Sequence, residues 1–303
     1  MQTVLITGGT GMIGKAVTAA LIQRGYHIII VTRKIPPSKP ATDNISYALW
    51  DVEAQTIDKE AIAKADHIIH LAGANVGEKR WTEKRKKEIV DSRVKSGELL
   101  IKALQDIPNK IETVVSASAI GWYGPDTTKS IPSGFVEEDI AANDFLGETC
   151  WQWENSIRPA EATGKRLVIF RTGIVLAKGQ GALKEFEKPL QFRTATILGN
   201  GKQVISWIHL QDIVNLYIQA IENKNYKGVY NAVAPHPVTN KELVIQLAKS
   251  TNKFYIPVYV PSFILRTILG EMSIEVLKSA TVSADKLMQA GFTFQYPTIQ
   301  SFL

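Results

Sequence analysis

Residues 7–14 read TGGTGMIG, from Thr7 to Gly14, and this stretch decides the fold. The run before it, Thr3–Thr7, is a short β-branched, apolar segment of strand character. The run after it, Ile13–Arg24, carries apolar residues at helical spacing. A strand, a glycine turn and a helix therefore follow one another. Gly9, Gly11 and Gly14 satisfy G-x-G-x-x-G, and Gly8, Gly11 and Gly14 satisfy G-x-x-G-x-x-G. Alone, such a pattern says little; between a strand and a helix it stands in its confirming context. Glycines let the backbone turn tightly and come close to a bound group. The free N–H groups at the helix start, with the helix dipole, then attract a pyrophosphate. The predicted cradle comprises Thr7, Gly8, Gly9, Thr10, Gly11, Met12, Ile13 and Gly14.

Working outward, apolar runs alternate with amphipathic helices. Strands are expected at Thr3–Thr7, Ile28–Thr32, Ile45–Trp50, His67–Leu71, Thr113–Ser118 and Leu167–Thr172. Helices are expected at Ile13–Arg24, Lys59–Ala65, Glu83–Leu104 and Asp144–Ala162. Strand–helix alternation with Val/Ile-rich strands predicts an α/β fold, a doubly wound parallel sheet covered on both faces. Residues 1–177 read as a Rossmann domain, with 205–233 returning to it. Residues 178–204 and 234–303 read as a smaller α+β lobe lying over the C-terminal ends of the strands, where ligands bind in such folds.

The second strand ends in Thr32, Arg33 and Lys34. A fold that binds NAD usually places a carboxylate there for the ribose 2′-hydroxyl. Two cations and a hydroxyl suit a 2′-phosphate instead, so the expected cofactor is NADP(H). Asp51, at the end of the third strand, is either an adenine contact or a turn residue. Small residues in HLAGA let Leu71, Ala72 and Gly73 approach ribose and nicotinamide. Ser116, Arg171, Thr172 and Gly173 complete the expected contacts, although Arg171 could equally pair with a carboxylate.

The chain has 303 residues, 45% hydrophobic and 21% charged, as in ordinary globular proteins. One cysteine excludes an internal disulfide, and no Cys/His cluster has metal spacing. The first residues enter a strand at once, which predicts no signal peptide and a cytoplasmic location. Net charge is +6, which suits an anionic small molecule as well as a nucleic acid. Lys79, Arg80, Lys84, Arg85, Lys86 and Lys87 cluster in GEKRWTEKRKKEI. A solvated helix start explains them better than nucleic-acid binding, since no nucleic-acid module accompanies them. No apolar run reaches membrane-spanning length.

TGGTGMIG, HLAGA and VVSASAIGWYG together resemble the extended short-chain dehydrogenase/reductases, which include the nucleotide-sugar epimerases. RWTEKRKKEIVDSRV, GNGKQVISWIHLQDIV, VYNAVAPHPVTNKEL and KLMQAGFTFQYP are similar to the "epimerase family" branch. That branch carries a C-terminal conserved domain of unknown function and is sometimes labelled a cell-division inhibitor homologue. The resemblance covers essentially the whole chain. It implies hydride transfer at nicotinamide, a serine after the fifth strand, and a Tyr-x-x-x-Lys pair on the next helix that moves the proton. It also implies a homodimer. Ser118 matches the serine. Leu146 and Cys150 occupy the Tyr and Lys positions, and no Tyr-x-x-x-Lys occurs in residues 119–170.

Replacement chemistry could come from the Tyr123 phenol or from Cys150, against the plainer readings of a loop aromatic and an inert buried thiol. Trp81, Trp122, Gln203, Trp207 and His209 are expected to line a substrate pocket, with His209 otherwise a helix cap. The resulting expectation is a reductase or dehydrogenase for an unknown small molecule. Its rivals are a cofactor-bound regulatory or interaction protein without turnover and, more weakly, a nucleotide-sugar epimerase.

Overall fold

A computed structural model of the chain describes residues 1–35 and 44–303. Its main unit runs β1 (Thr3–Thr7), α1 (Met12–Gln23), β2 (His27–Thr32), β3 (Ile45–Asp51), β4 (Thr56–Ile57), α2 (Lys59–Lys64), β5 (His67–His70), α3 (Glu83–Asp106) and β6 (Thr113–Ala119). A short helix α4 (Ser130–Ser133), then α5 (Phe145–Ile157) and β7 (Arg166–Thr172) follow. The strands form one sheet in the order β12-β7-β6-β5-β1-β2-β3-β4, where β12 is Gly228–Ala232. Its pairs are parallel except for the antiparallel β3–β4 edge. From β1 the chain winds outward through β2 and β3, then returns to the far side of β1 through β5, β6 and β7. The crevice above β1 and β5 is therefore the topological switch point.

Strand alternation explains the two cores. Val4 and Ile6 on β1, with Ile28 and Ile30 on β2, face α1 and α7 (Leu210–Glu222), where they meet Val17, Leu21, Ile213 and Tyr217. Leu5, Ile29 and Ile68 point the other way, onto Ile62, Leu100 and Ile157 of α2, α3 and α5. Polar caps set the helix starts: Thr82 accepts from Arg85 N (3.2 Å) and Asp144 from Gly147 N (2.8 Å). The helix expected over Asp144–Ala162 stops at Ile157, because Pro159 tightens the rest into a 3₁₀ segment over Arg158–Thr163.

Beyond β7 come β8 (Ile174–Ala177), α6 (Gly181–Leu190), β9 (Thr194–Leu198), β10 (Val204–Ile205) and β11 (Trp207–His209). After α7 and β12 follow β13 (Val238–Thr239), α8 (Asn240–Ser250), β14 (Ile256–Val260), α9 (Ser262–Leu269), α10 (Ser273–Leu277), α11 (Asp285–Gln289) and α12 (Ile299–Phe302). β8–β11, β9–β14 and β10–β13 are two-stranded pairs. α6 and α8 close a satellite core of Leu183, Trp207, Leu243, Leu247 and Phe302. No helix among the described residues is long and apolar enough to cross a membrane.

Candidate functional site

The glycine turn after β1 is built for backbone contact. Gly8 has φ +70°, and a Cβ there would lie 2.7 Å from the Leu71 carbonyl carbon, so the turn is pressed onto the end of β5. A Cβ on Gly14 would lie 2.6 Å from Gly9 Cα, so the first turn of α1 and the loop touch through backbone alone. Gly11 is the N-cap and no side chain caps the helix, which leaves the amides of Met12, Ile13 and Gly14 without intrahelical partners. Thr10 and Gly11 are exposed at the crevice, and Gly9 packs beneath it on Ile30. Met12 reaches the smaller lobe: a Cβ on Gly181 would lie 3.1 Å from its Cε.

Thr7 sits one layer below the crevice and is fully buried. Its Oγ1 lies 2.7 Å from His70 Nδ1 and accepts from the Leu71 and Ala72 amides at 3.2 and 3.3 Å. Ser96 Oγ, 3.3 Å from His70 Nε2, already donates to Ser92 O. The network thus assigns the proton to Nε2, with Nδ1 accepting from Thr7. Burial, then the Arg93 charge, lower the His70 pKa to about 4, so the ring is a neutral strut. Thr7 therefore holds the HLAGA loop in place rather than facing a ligand. Leu71, Ala72 and Gly73 do reach the crevice edge, Gly73 being exposed.

At the end of β2, Arg33 and Lys34 are exposed, and Thr32 Oγ1 donates to Lys34 O (3.0 Å), shaping the turn. Asp51 is exposed and shapes the turn after β3. Its Oδ1 accepts from the Glu53 and Ala54 amides, both at 2.9 Å, as a turn residue does, and its Oδ2 takes no part in that turn.

The candidates for chemistry face inward. Ser116 and Ser118 lie on the sheet face under α3 and α5, because alternation turns Ala117 and Ala119 to the other side. Ser116 is fully buried and donates to Ala117 O (3.1 Å). Ser118 is 3% exposed and donates to Glu154 Oε1 at 2.8 Å. Arg171 is no cofactor contact: it is 2% exposed, and its Nε and Nη2 meet Glu154 at 2.8 and 3.1 Å. Its guanidinium lies 3.6 Å from the Trp122 ring centroid. Tyr123 donates from its phenol to Asn231 Oδ1 (2.7 Å) and accepts from Arg171 (3.0 Å); burial raises its pKa further from neutrality. Cys150 donates weakly to Ala119 O at 3.6 Å, and burial pushes its thiol up to about 12. It is the inert alternative, packed with Leu146 over Gly121.

The residues expected to wall a pocket each have internal partners. Trp207 is fully buried and donates to His236 O (3.0 Å). Trp122 donates to Asp139 O (2.8 Å), and Trp81 to Val76 O (3.0 Å) while meeting Phe145 edge-on. Gln203 binds Leu198 O (3.0 Å) and ties down the smaller lobe. His209 caps α7 through Gln211 N (3.1 Å); burial and Lys178 lower its pKa to about 4. Gly173 lets β7 pass under β11, since a Cβ would lie 2.7 Å from Ser206 O, and the Thr172 hydroxyl donates to Phe170 O (3.2 Å). Half of the basic run is paired. Arg85, itself buried, meets Glu78 and Glu88; Lys86 meets Glu83 and Glu271; Lys87 meets Asp91. Among the described residues no His/Cys/Asp/Glu group could hold a metal ion.

Three features went unread in the sequence: the Thr7–His70–Ser96 network, Glu154 as the carboxylate that pairs with Arg171, and the buried Arg93. Only the last left a signal. Ile89, Arg93, Ser96 and Leu100 share one helical face, so a cation stands within an apolar stripe.

The family model described as the NAD dependent epimerase/dehydratase family matches residues 4–153, and a domain of unknown function matches residues 260–303. An epimerase family protein of Staphylococcus saprophyticus is 36% identical over 99% of this chain and 97% of its own length. One of Mycobacterium leprae is 33% identical over 98% of this chain and 92% of its own. Among solved structures, the human epimerase family protein SDR39U1 with NADPH superposes with a TM-score of 0.86 at 26% identity, covering 99% of this chain and 97% of that one. A nucleoside-diphosphate sugar epimerase from Corynebacterium glutamicum gives 0.76 at 29% identity, covering 99% of this chain and 57% of the other. With its glycine turn at the switch point and likeness along its full length, the chain belongs to the epimerase family of extended short-chain dehydrogenase/reductases.

Proposed function

We propose that the protein binds NADP(H) and acts as a reductase or dehydrogenase on a small molecule that has yet to be identified. The glycine turn carries this reading: its close backbone contacts and uncapped amides fit a pyrophosphate. In it, residues 8–14 bind the pyrophosphate through backbone N–H groups, and Arg33 and Lys34 receive the 2′-phosphate. The backbone of Leu71–Gly73 flanks the nicotinamide ribose. NADPH, named for the human relative's structure, and the absence of a carboxylate at Thr32–Lys34 favour the phosphorylated cofactor. The nicotinamide would supply hydride transfer when bound.

The chain's own residues bind, orient and exclude water. Met12 and Gly181 narrow the crevice. Ser118, Tyr123 and Cys150 are held by internal partners, which leaves solvent water as the proton source in this reading. Sugar epimerisation has less support, since no tyrosine or lysine stands at positions 146 and 150.

The test pairs binding with turnover. NADPH should bind more tightly than NADH, and the bound NADPH should be oxidised in a single turnover by at least one member of a carbonyl and enone panel. Tight binding with no oxidation by any compound would instead favour the second reading, a cofactor-bound regulatory protein. The inward-turned serine, tyrosine and cysteine are the observation in its favour.

A further inference from the structure

We propose that Arg93 is an anion-binding residue of the crevice, its guanidinium receiving a carboxylate or phosphate oxygen of a bound small molecule. α3 carries Arg93 on its buried face, and the side chain is 9% exposed. It lies under the end of β5, where a Cβ on Gly73 would sit 3.1 Å from its Cζ and 3.3 Å from Nη2. The missing side chain at Gly73 is what admits it. Gly73 is itself exposed, so the guanidinium stands one residue beneath the crevice edge. Its other flank is α5, with Cζ 4.9 Å from the Trp153 ring centroid. Its charge also acts on Cys150, drawing that thiol's pKa down against the effect of burial.

Its bonding is incomplete. A guanidinium has five N–H donors, and the one hydrogen bond Arg93 makes among the described residues runs from Nη1 to Ile89 O (2.9 Å). No carboxylate of the described residues lies within ion-pair distance of it. The other buried arginines are arranged differently. Arg171 has Glu154, and Arg85 has Glu78 and Glu88. Its unbonded nitrogens keep a narrow contact with solvent, and a charge so largely desolvated favours an anionic partner. Burial, with the Arg85 charge, accordingly pushes the Arg93 pKa down to about 10.

The structure thus supplies a planar, bidentate donor without a carboxylate partner among the described residues, beneath the crevice edge and beside the helix that carries Leu146 and Cys150. Arginine in that state selects oxyanions. The anion could belong to the substrate or to the cofactor. Only that choice of source rests on the nicotinamide-nucleotide reading.

The test measures the thermal midpoint of the full chain in sodium acetate, inorganic phosphate and sodium chloride at equal ionic strength. Acetate or phosphate should raise the midpoint by several degrees over chloride. Arg93→Met should abolish that rise while still unfolding cooperatively. Arg93→Lys, which keeps the charge but loses the planar fork, should respond at least about fivefold more weakly. The same titrations in saturating NADPH separate the sources: a rise that disappears places the cofactor's phosphate on Arg93, and one that persists leaves the site to a substrate anion. An unaltered response in Arg93→Met or Arg93→Lys, or no anion-specific rise in the unaltered chain, overturns the proposal. A rise with acetate in a protein that fails to bind NADPH would sink the cofactor reading and leave this one standing.

Discussion

The two ends of the crevice are made in opposite ways. At the nucleotide end, after β1, side chains are removed: Gly8, Gly9 and Gly14 pack backbone on backbone, and the uncapped start of α1 leaves the amides of Met12, Ile13 and Gly14 without intrahelical partners. At the far end, between β6, β7 and α5, polar side chains are plentiful but turned on one another. Ser118, Glu154, Arg171, Tyr123 and Asn231 form one buried chain of hydrogen bonds. The first end leaves helix-start amides without a partner from the protein; the second is satisfied and behaves as core. Residue type alone does not separate a reactive group from a structural one. What separates them is whether the protein already supplies the partner.

The contrast breaks most visibly at Glu154. Glu154→Gln leaves the Arg171 charge unpaired in the interior, and should cost about 3–5 kcal/mol in urea unfolding with little change in the NADPH affinity of the folded fraction. At the other end, Gly14→Ala pushes a methyl into the backbone of Gly8 and Gly9. It should lose about 1–3 kcal/mol of stability and, unlike Glu154→Gln, also abolish NADPH binding in a fluorescence titration.

A pH series tests the satisfied network under β5. The folded pKa of His70 is depressed, to about 4 from 6.5, so the unfolded chain binds the proton first. Its contribution is complete above pH 6.5 and is lost as pH falls from 6.5 towards 4, on the order of 3 kcal/mol in all. His70→Asn should reduce that slope, leaving the part due to His209, whose pKa is depressed in the same way; an unchanged slope would count against the neutral ring. Smaller again, Arg33→Ala should erase a roughly tenfold preference for NADPH over NADH, a charge-assisted bond being worth about 1.5–3 kcal/mol. Equal affinities in the unaltered protein would falsify the 2′-phosphate assignment. The smallest effect belongs to Cys150→Ala, which should leave turnover of any substrate found unchanged and cost about 1 kcal/mol of packing.

The sheet was legible because its signal is local. Every expected strand lies within about two residues of an observed one, since apolar runs and glycine turns need no distant partner to be read. The glycine cradle was legible for the same reason. The roles of Ser118, Arg171, Tyr123 and Trp207 were not, because each depends on a contact across the sheet: Ser118 on Glu154, 36 residues away, and Tyr123 on Asn231, 108 residues away. Strand parity was available and would have separated Ser118 from Ala119. It says which face a residue takes, but not which face is open.

The last edge of the main sheet has a consequence for dissection of the gene product. β12 pairs with β7, and α7 covers Val168 and Phe170, yet both elements come after β8, α6 and β9 in the chain. The smaller lobe is thus partly an insertion and not simply an appendage. A truncation after Ala177 would not release a minimal nucleotide-binding fragment. It would strip one sheet face of Ile213, Leu216 and Tyr217 and leave β7 as a bare edge, giving a product prone to aggregate. A modular version of this protein would need a circular permutation, or a short linker from Ala177 to Trp207, in place of a stop codon.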